Sequence, residues 1–135
     1  MPLLPNKLPL LPLTADTTLT FPGYGGAFIT NSGATAAVVI TLPASSTVLA
    51  GSYCWVYVTV NQDVTVATTT TDTLIVDGDV AADSIGWVTS SHKVGNGAMF
   101  VCIGAATAGS VGGWACMLSP GATTTTIATQ TITTA

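Results

Sequence analysis

Tyr53-Cys54-Trp55-Val56-Tyr57-Val58-Thr59-Val60 is the stretch on which the fold class turns. In an extended chain successive side chains point to opposite faces. Cys54, Val56, Val58 and Val60 then share one face, and Tyr53, Trp55, Tyr57 and Thr59 share the other. The valine face belongs in a core. The aromatic face is too apolar for bulk water and implies a second sheet, a partner or a ligand.

Outward from this strand, residues 36–42, 64–67, 73–76, 86–90, 98–103 and 114–118 read the same way. Each is short, β-branched or aromatic, and bounded by Gly, Pro, Asn, Asp or Ser. Residues 98–103 are apolar on both faces, as in a strand covered from both sides. Strands that recur at roughly ten-residue spacing with no helical period indicate an all-β protein, a β-sandwich or jelly roll.

Two flanks complete the organisation: an arm over residues 1–22, a body over 23–120, and a Thr-rich tail over 121–135. Prolines at 2, 5, 9 and 12 suit an extended arm. Its leucines, Leu3, Leu4, Leu8, Leu10, Leu11 and Leu13, have no core of their own and are expected to dock across another subunit. The same prolines break any helical signal-peptide core, so the leucine-rich start is not read as an export signal. The tail has high β-propensity and no charge, an aggregation hazard unless paired. It is read as a closing strand, or one added to a neighbour's sheet.

The chain of 135 residues has two Lys, no Arg, six Asp and no Glu. That is 6% charged, against about 25% in an average soluble domain. The missing charge is replaced by Thr, 25 residues of it, with Ala and Gly. Lys7 and Lys93 cannot form the basic stripe that nucleic-acid binding requires. Gly, Thr, Ser and Asn interrupt the uncharged stretches, so no membrane helix is expected. Cys54, Cys102 and Cys116 each sit in an apolar run without metal-ligand spacing and read as buried free thiols, favouring a reducing compartment.

Candidate chemistry is sparse. His92 is the only histidine and lies in a polar loop, so a Ser/His/Asp site is not expected. Asp72, Asp77, Asp79 and Asp83 cluster, but the spacing is not that of a calcium loop and the closing Glu is missing. Turn formation between strands explains them. Neither metal, cofactor nor catalytic residue is assigned. Tyr53, Trp55, Tyr57 and Trp87 are the candidates for an interface or for stacking on glycans.

Several short segments follow one another in a recognisable order. They are Ile40-Thr41-Leu42-Pro43, Ala50-Gly51-Ser52-Tyr53, Asp72-Thr73-Leu74-Ile75-Val76-Asp77-Gly78, Asp83-Ser84-Ile85, Gly97-Ala98-Met99-Phe100-Val101 and Gly113-Trp114. Over about residues 38–118 the chain resembles the small β-sandwich modules of tailed bacteriophage virions, found in head decoration proteins, head fibres and tail fibres. The resemblance implies a structural role in the virion and carries no catalytic residues. A short chain with extended termini fits a capsid decoration (cement) protein better than a long fibre. Such a protein, assembled in the host cytoplasm, binds across capsomers of the major capsid protein on the outer capsid surface and stabilises the mature head. It is expected to be a homodimer or homotrimer, with no nucleic-acid or membrane partner. The alternative is a host-recognition module of a head or tail fibre that binds surface glycans.

Overall fold

The computed structural model describes residues 8–21, 23–76, 78–88, 93–105, 112–118 and 131–134. Among them are eleven strands and one short 3-10 turn, Ser45–Thr47. The strands are β1 (Leu10–Pro12), β2 (Thr17–Thr18), β3 (Phe28–Thr30), β4 (Val38–Thr41), β5 (Tyr53–Tyr57), β6 (Val64–Ala67), β7 (Thr73–Val76), β8 (Asp79–Trp87), β9 (Gly97–Gly104), β10 (Gly113–Leu118) and β11 (Thr131–Thr134). The protein is all-β. Hydrogen bonding draws one continuous curled sheet, a half-barrel in the order β1-β3-β5-β9-β10-β7-β8-β6-β4-β2. β11 joins it along β8.

The first six strands are laid down as parallel passes. β1, β3 and β5 stack in parallel, with Leu11 beside Ile29 and Ile29 beside Val56. β2, β4 and β6 do the same, with Thr17 beside Ile40 and Ile40 beside Val66. Each pass turns one corner, at residues 13–16, 31–37 and 58–63. The corners of the second and third passes are tied by Asn31. Its Oδ1 accepts the Thr59 and Val60 N–H groups at 2.8 and 3.1 Å, and its Nδ2 donates to the Val60 carbonyl at 3.1 Å. This clasp turns the chain at Thr59, so β5 ends at Tyr57 instead of running on to residue 60.

β8 links the two halves of the curl. Its C-terminal half pairs with β6 and its N-terminal half with β7, end to end along one edge. Ile85 pairs with Val66 and also with Ile132, so β11 occupies the opposite edge. β8 begins well before the expected 86–90, because its polar start pairs with β7 while Val80, Ala81 and Asp83 face solvent.

The core lies on the concave side and is built from rows in cross-strand register. One row runs Leu11, Ile29, Val56, Ala98, Leu118. Another sets Cys54 and Cys116 on either side of Phe100, and a third joins Cys102, Trp114 and Leu74. Trp114 is fully buried; its indole N–H donates to the Pro43 carbonyl at 3.0 Å and its ring meets Phe21 edge-on at 5.7 Å.

Residues 10–19 do not extend away from the body. β1 is one end of the sheet and β2 the other, so the arm joins both edges of the half-barrel across residues 13–16. The chain between Pro12 and Thr17 can span at most about 18 Å, which holds the edges close. Leu13 and Leu19 are buried beneath this strap, each worth roughly 1.5–3 kcal/mol of burial. That burial offsets the ordering of an otherwise extended segment. The Leu13 N–H donates to the Thr30 carbonyl, so the alternate position, Pro12, faces the open edge. A residue with no N–H there blocks further strand addition.

Three buried polar side chains secure the corners. Asp72 accepts from the Ser45 N–H and Oγ at 2.7 and 2.6 Å. Lys93, nearly inaccessible, forms an ion pair with Asp63, whose own carbonyl accepts the Val38 N–H. Asn31 is the third.

The thiols are buried and free. Cys54 and Cys116 lie two strands apart, about 9.5 Å, beyond the Cα separation of roughly 4.4–6.8 Å that a disulfide needs. Burial pushes both thiols from 9.0 up to about 12. Below pH 9 both states hold the proton and stability is unaffected. Between pH 9 and 12 only the unfolded chain ionises there, so stability is expected to fall, by at most about 1.4 kcal/mol per pH unit per thiol. A pH series of urea melts checks this, together with thiol labelling that proceeds only after unfolding.

Candidate functional site: an uncharged apolar sheet face

The convex face of β1, β3, β5, β9, β10 and β7 carries the side chains that alternate with the core rows. Register places Leu10 beside Phe28, Phe28 beside Trp55, Trp55 beside Met99, and Met99 beside Met117. These five residues form a single apolar stripe across five strands, roughly 19 Å long at the usual strand spacing. A second row runs Tyr53, Val101, Ala115, Ile75. Leu10 is 66% exposed, Met117 50% and Trp55 36%, while Phe28 and Met99 are half-buried by their neighbours. Tyr57 leans on Phe28, ring centroids 5.5 Å apart.

Two grooves border this face. One, of about 650 Å³, is lined by Phe21, Gly25, Gly26 and the 47–52 turn and meets the face at Tyr53. Leu49, at its rim, is 82% exposed. The other, of about 570 Å³, is lined by Leu8, Pro9, Leu10 and Phe28.

Charge is segregated from all of this. Among the described residues, Asp16 sits against β4, where its carboxylate accepts the Val39 N–H at 2.8 Å. Asp63 and Lys93 pair ahead of β6. Asp72 fills the corner between β6 and β7, and Asp79 and Asp83 lie on β8. Among the described residues, no charged side chain lies on the stripe, in the second row or in either groove.

The expected site residues are distributed unevenly. Tyr53 and Trp55 are exposed together on the convex face, with Tyr57 beside them. Trp87 is a correction: it is completely buried on the concave side, at the end of β8 against Val64, and cannot meet a glycan or a partner. Among the described residues its indole N–H has no hydrogen-bond partner. An isolated Trp flanked by Gly86 and Val88 has no alternating neighbours that would assign its face.

The arm leucines divide as well. Leu8 and Leu10 face outward, whereas Leu11 packs against the chain's own core and Leu13 is part of it. Leu3 and Leu4 lie outside the described residues, as do His92 and Asp77. Phe28, Met99 and Met117 belong to the stripe but were not among the candidates. The signal for Met99 was the double-sided apolarity of residues 98–103; for Phe28 and Met117 only the pairing of strands supplies it.

No cluster of three or more His, Cys, Asp or Glu side chains that could hold a metal ion is present among the described residues. No helix there is long and apolar enough to cross a membrane. Compared with protein-family models and with curated proteins, the chain matches none.

Proposed function

We propose that the protein is a non-enzymatic structural part of a larger assembly, and that the assembly is the capsid of a tailed bacteriophage. In this reading it is a decoration (cement) protein that binds across capsomers of the major capsid protein. The observation that carries the assembly role is the uncharged convex face, a contiguous apolar surface of a kind that soluble monomers rarely leave uncovered. Such a surface incurs little desolvation cost when covered, and its contacts depend weakly on salt. The sequence resemblance over residues 38–118 supports the virion as the setting.

The mechanism follows from linkage. A protein that binds only the mature lattice stabilises that lattice by its binding free energy, and repeated identical sites add avidity. Leu8 and Leu10 are the described arm leucines left for a capsid contact. The alternative reading, glycan recognition by a fibre module, now rests on Tyr53, Trp55 and the half-buried Tyr57, since Trp87 is in the core.

Deleting the arm is a poor test, because Leu11 and Leu13 leave the core with it. Leu8→Lys/Leu10→Lys is the cleaner variant. It is expected to keep the fold while particle occupancy and heat tolerance drop. Quantitative gel analysis of purified particles checks both, and copy number there should scale with the number of capsomers. Only a few copies per particle, or full occupancy by the variant, would sink the cement reading.

A further inference from the structure

We propose that the edge of β8 beneath β11 is a strand-exchange site, where the Thr131–Thr134 strand of a second copy of this chain takes the place of the chain's own. Such an exchange joins one copy to the next and does not depend on the capsid as the setting.

The seat fits this segment. Thr131 pairs with Gly86, Ile132 with Ile85, Thr133 with Ser84 and Thr134 with Ala82, so that Asp83 is passed over in a bulge. Among the described residues β11 pairs with β8 and with no other strand. The paired positions of that edge, Ala82 and residues 84–86, carry no charge and no proline, the devices that keep open edges from adding strands. Other edges of the sheet have them. Pro12 stands at the β1 edge, and near the start of β8 the Asp79 carboxylate accepts the Ala81 N–H at 2.8 Å. An unguarded edge needs a strand at all times, and it accepts any strand that brings this sequence in this register.

A second copy brings that segment. Its tail has the same residues and reproduces the same four pairs, so a reciprocal exchange loses no contact in either copy. Exchange of an identical element is a low-cost route to dimers. Reach permits it. Twelve residues, 119–130, separate β10 from β11 in the sequence. A chain of that length spans up to about 45 Å, more than the width of a compact domain of this size, whose radius of gyration is about 14 Å. The tether therefore does not select its own β8 over a neighbour's, and the proportion exchanged is set by how closely copies are held. Charge does not oppose it. Residues 119–135 contain no Asp, Glu, Lys or Arg, so the tails meet no repulsion as they cross.

The test uses Ser84 and Thr133, which lie opposite each other in the ladder. Opposed residues there have a Cα separation of about 4.5–5.5 Å, within the range of a disulfide. The native thiols are buried and do not compete. Full chains carrying Ser84→Cys or Thr133→Cys are mixed at high concentration, oxidised and run on a denaturing gel. The mixture is expected to give a linked pair at twice the 13.5 kDa of one copy, several-fold above either variant alone and rising with concentration. Adding Thr131→Pro and Ile132→Pro to the Thr133→Cys chain should abolish the product, because one of two adjacent residues must aim its N–H at β8. The double variant Ser84→Cys/Thr133→Cys is expected to close within one chain when dilute, which shows that the pair can form its bond. A mixture that stays unlinked at every concentration while the double variant closes, or a proline donor that links equally well, overturns the proposal. A double variant that forms no bond at all overturns the seat itself. Linked copies that decorate no particle keep the exchange and remove the capsid reading; decorated particles whose copies never link do the reverse.

Discussion

Gly113→Ala is expected to unfold the chain. Gly113 opens β10, where it pairs with Thr73 of β7 on one side and Gly104 of β9 on the other. Its φ is +120°, a conformation that L side chains rarely adopt. A Cβ there would lie 2.1 Å from the Thr73 carbonyl oxygen and 2.8 Å from the Thr73 nitrogen. Both are backbone atoms of the paired strand, so no rotamer change relieves the clash. β7 would have to leave β10, taking Leu74 and Val76 out of the core and breaking the Thr73 Oγ1 bond to the Gly112 carbonyl at 2.9 Å. The expected loss exceeds about 4 kcal/mol, the exceptional end of single substitutions, against a total of roughly 5–15 kcal/mol for a domain. Gly51→Ala is the comparison: φ is +92° but nothing lies within 4 Å of the added methyl, so only about 1–2 kcal/mol of backbone strain is expected. Denaturant melts followed by near-ultraviolet dichroism measure both. Equal losses at the two glycines would contradict the close approach of β7 and β10.

Asn31→Ala is expected to cost about 3 kcal/mol or more. It leaves the Thr59 and Val60 N–H groups without the acceptor they have in the wild type, each such loss being worth about 1–3 kcal/mol, while the Val60 carbonyl keeps the Gln62 N–H at 2.7 Å. The damage should be local as well as global, because the clasp joins the corners of two successive passes. Hydrogen exchange should therefore accelerate at Thr59 and Val60 before it does so in β9 or β10. Asn31→Asp keeps an oxygen for the two N–H groups but loses the donor to Val60, so it should recover part of the stability. Undiminished protection of those two amides in the alanine variant would show that the corner holds without the clasp.

Much of the strand content was legible because a strand's two faces are written locally. Val64–Ala67 and Thr73–Val76 form as the residues indicate. Tyr53–Tyr57 points Cys54 and Val56 inward and Tyr53 and Trp55 outward, as alternation required. The arm was less legible. Proline-spaced leucines show no period-2 pattern, so strands as short as Leu10–Pro12 and Thr17–Thr18 leave no trace until their partners in β3 and β4 are known. Trp87 failed for a related reason: one aromatic at a strand's end has no alternating neighbours to say which way it points.

The candidate site shows the division most plainly. Sequence by itself determined that the chain is all-β, nearly free of charge, and presents Tyr53 and Trp55 opposite a buried Cys54–Val56 face. Side-chain direction depends only on the pleat, and the pleat depends only on neighbours in the chain. Tertiary structure alone decided which strands lie side by side. It laid the first six strands in parallel passes, turned the arm into a strap across both sheet edges, and drew Leu10, Phe28, Trp55, Met99 and Met117 into one stripe. Alternation says that a residue faces in or out. It carries no information on which distant strand supplies the neighbour, because that choice is made by the summed burial and hydrogen bonding of the whole sheet.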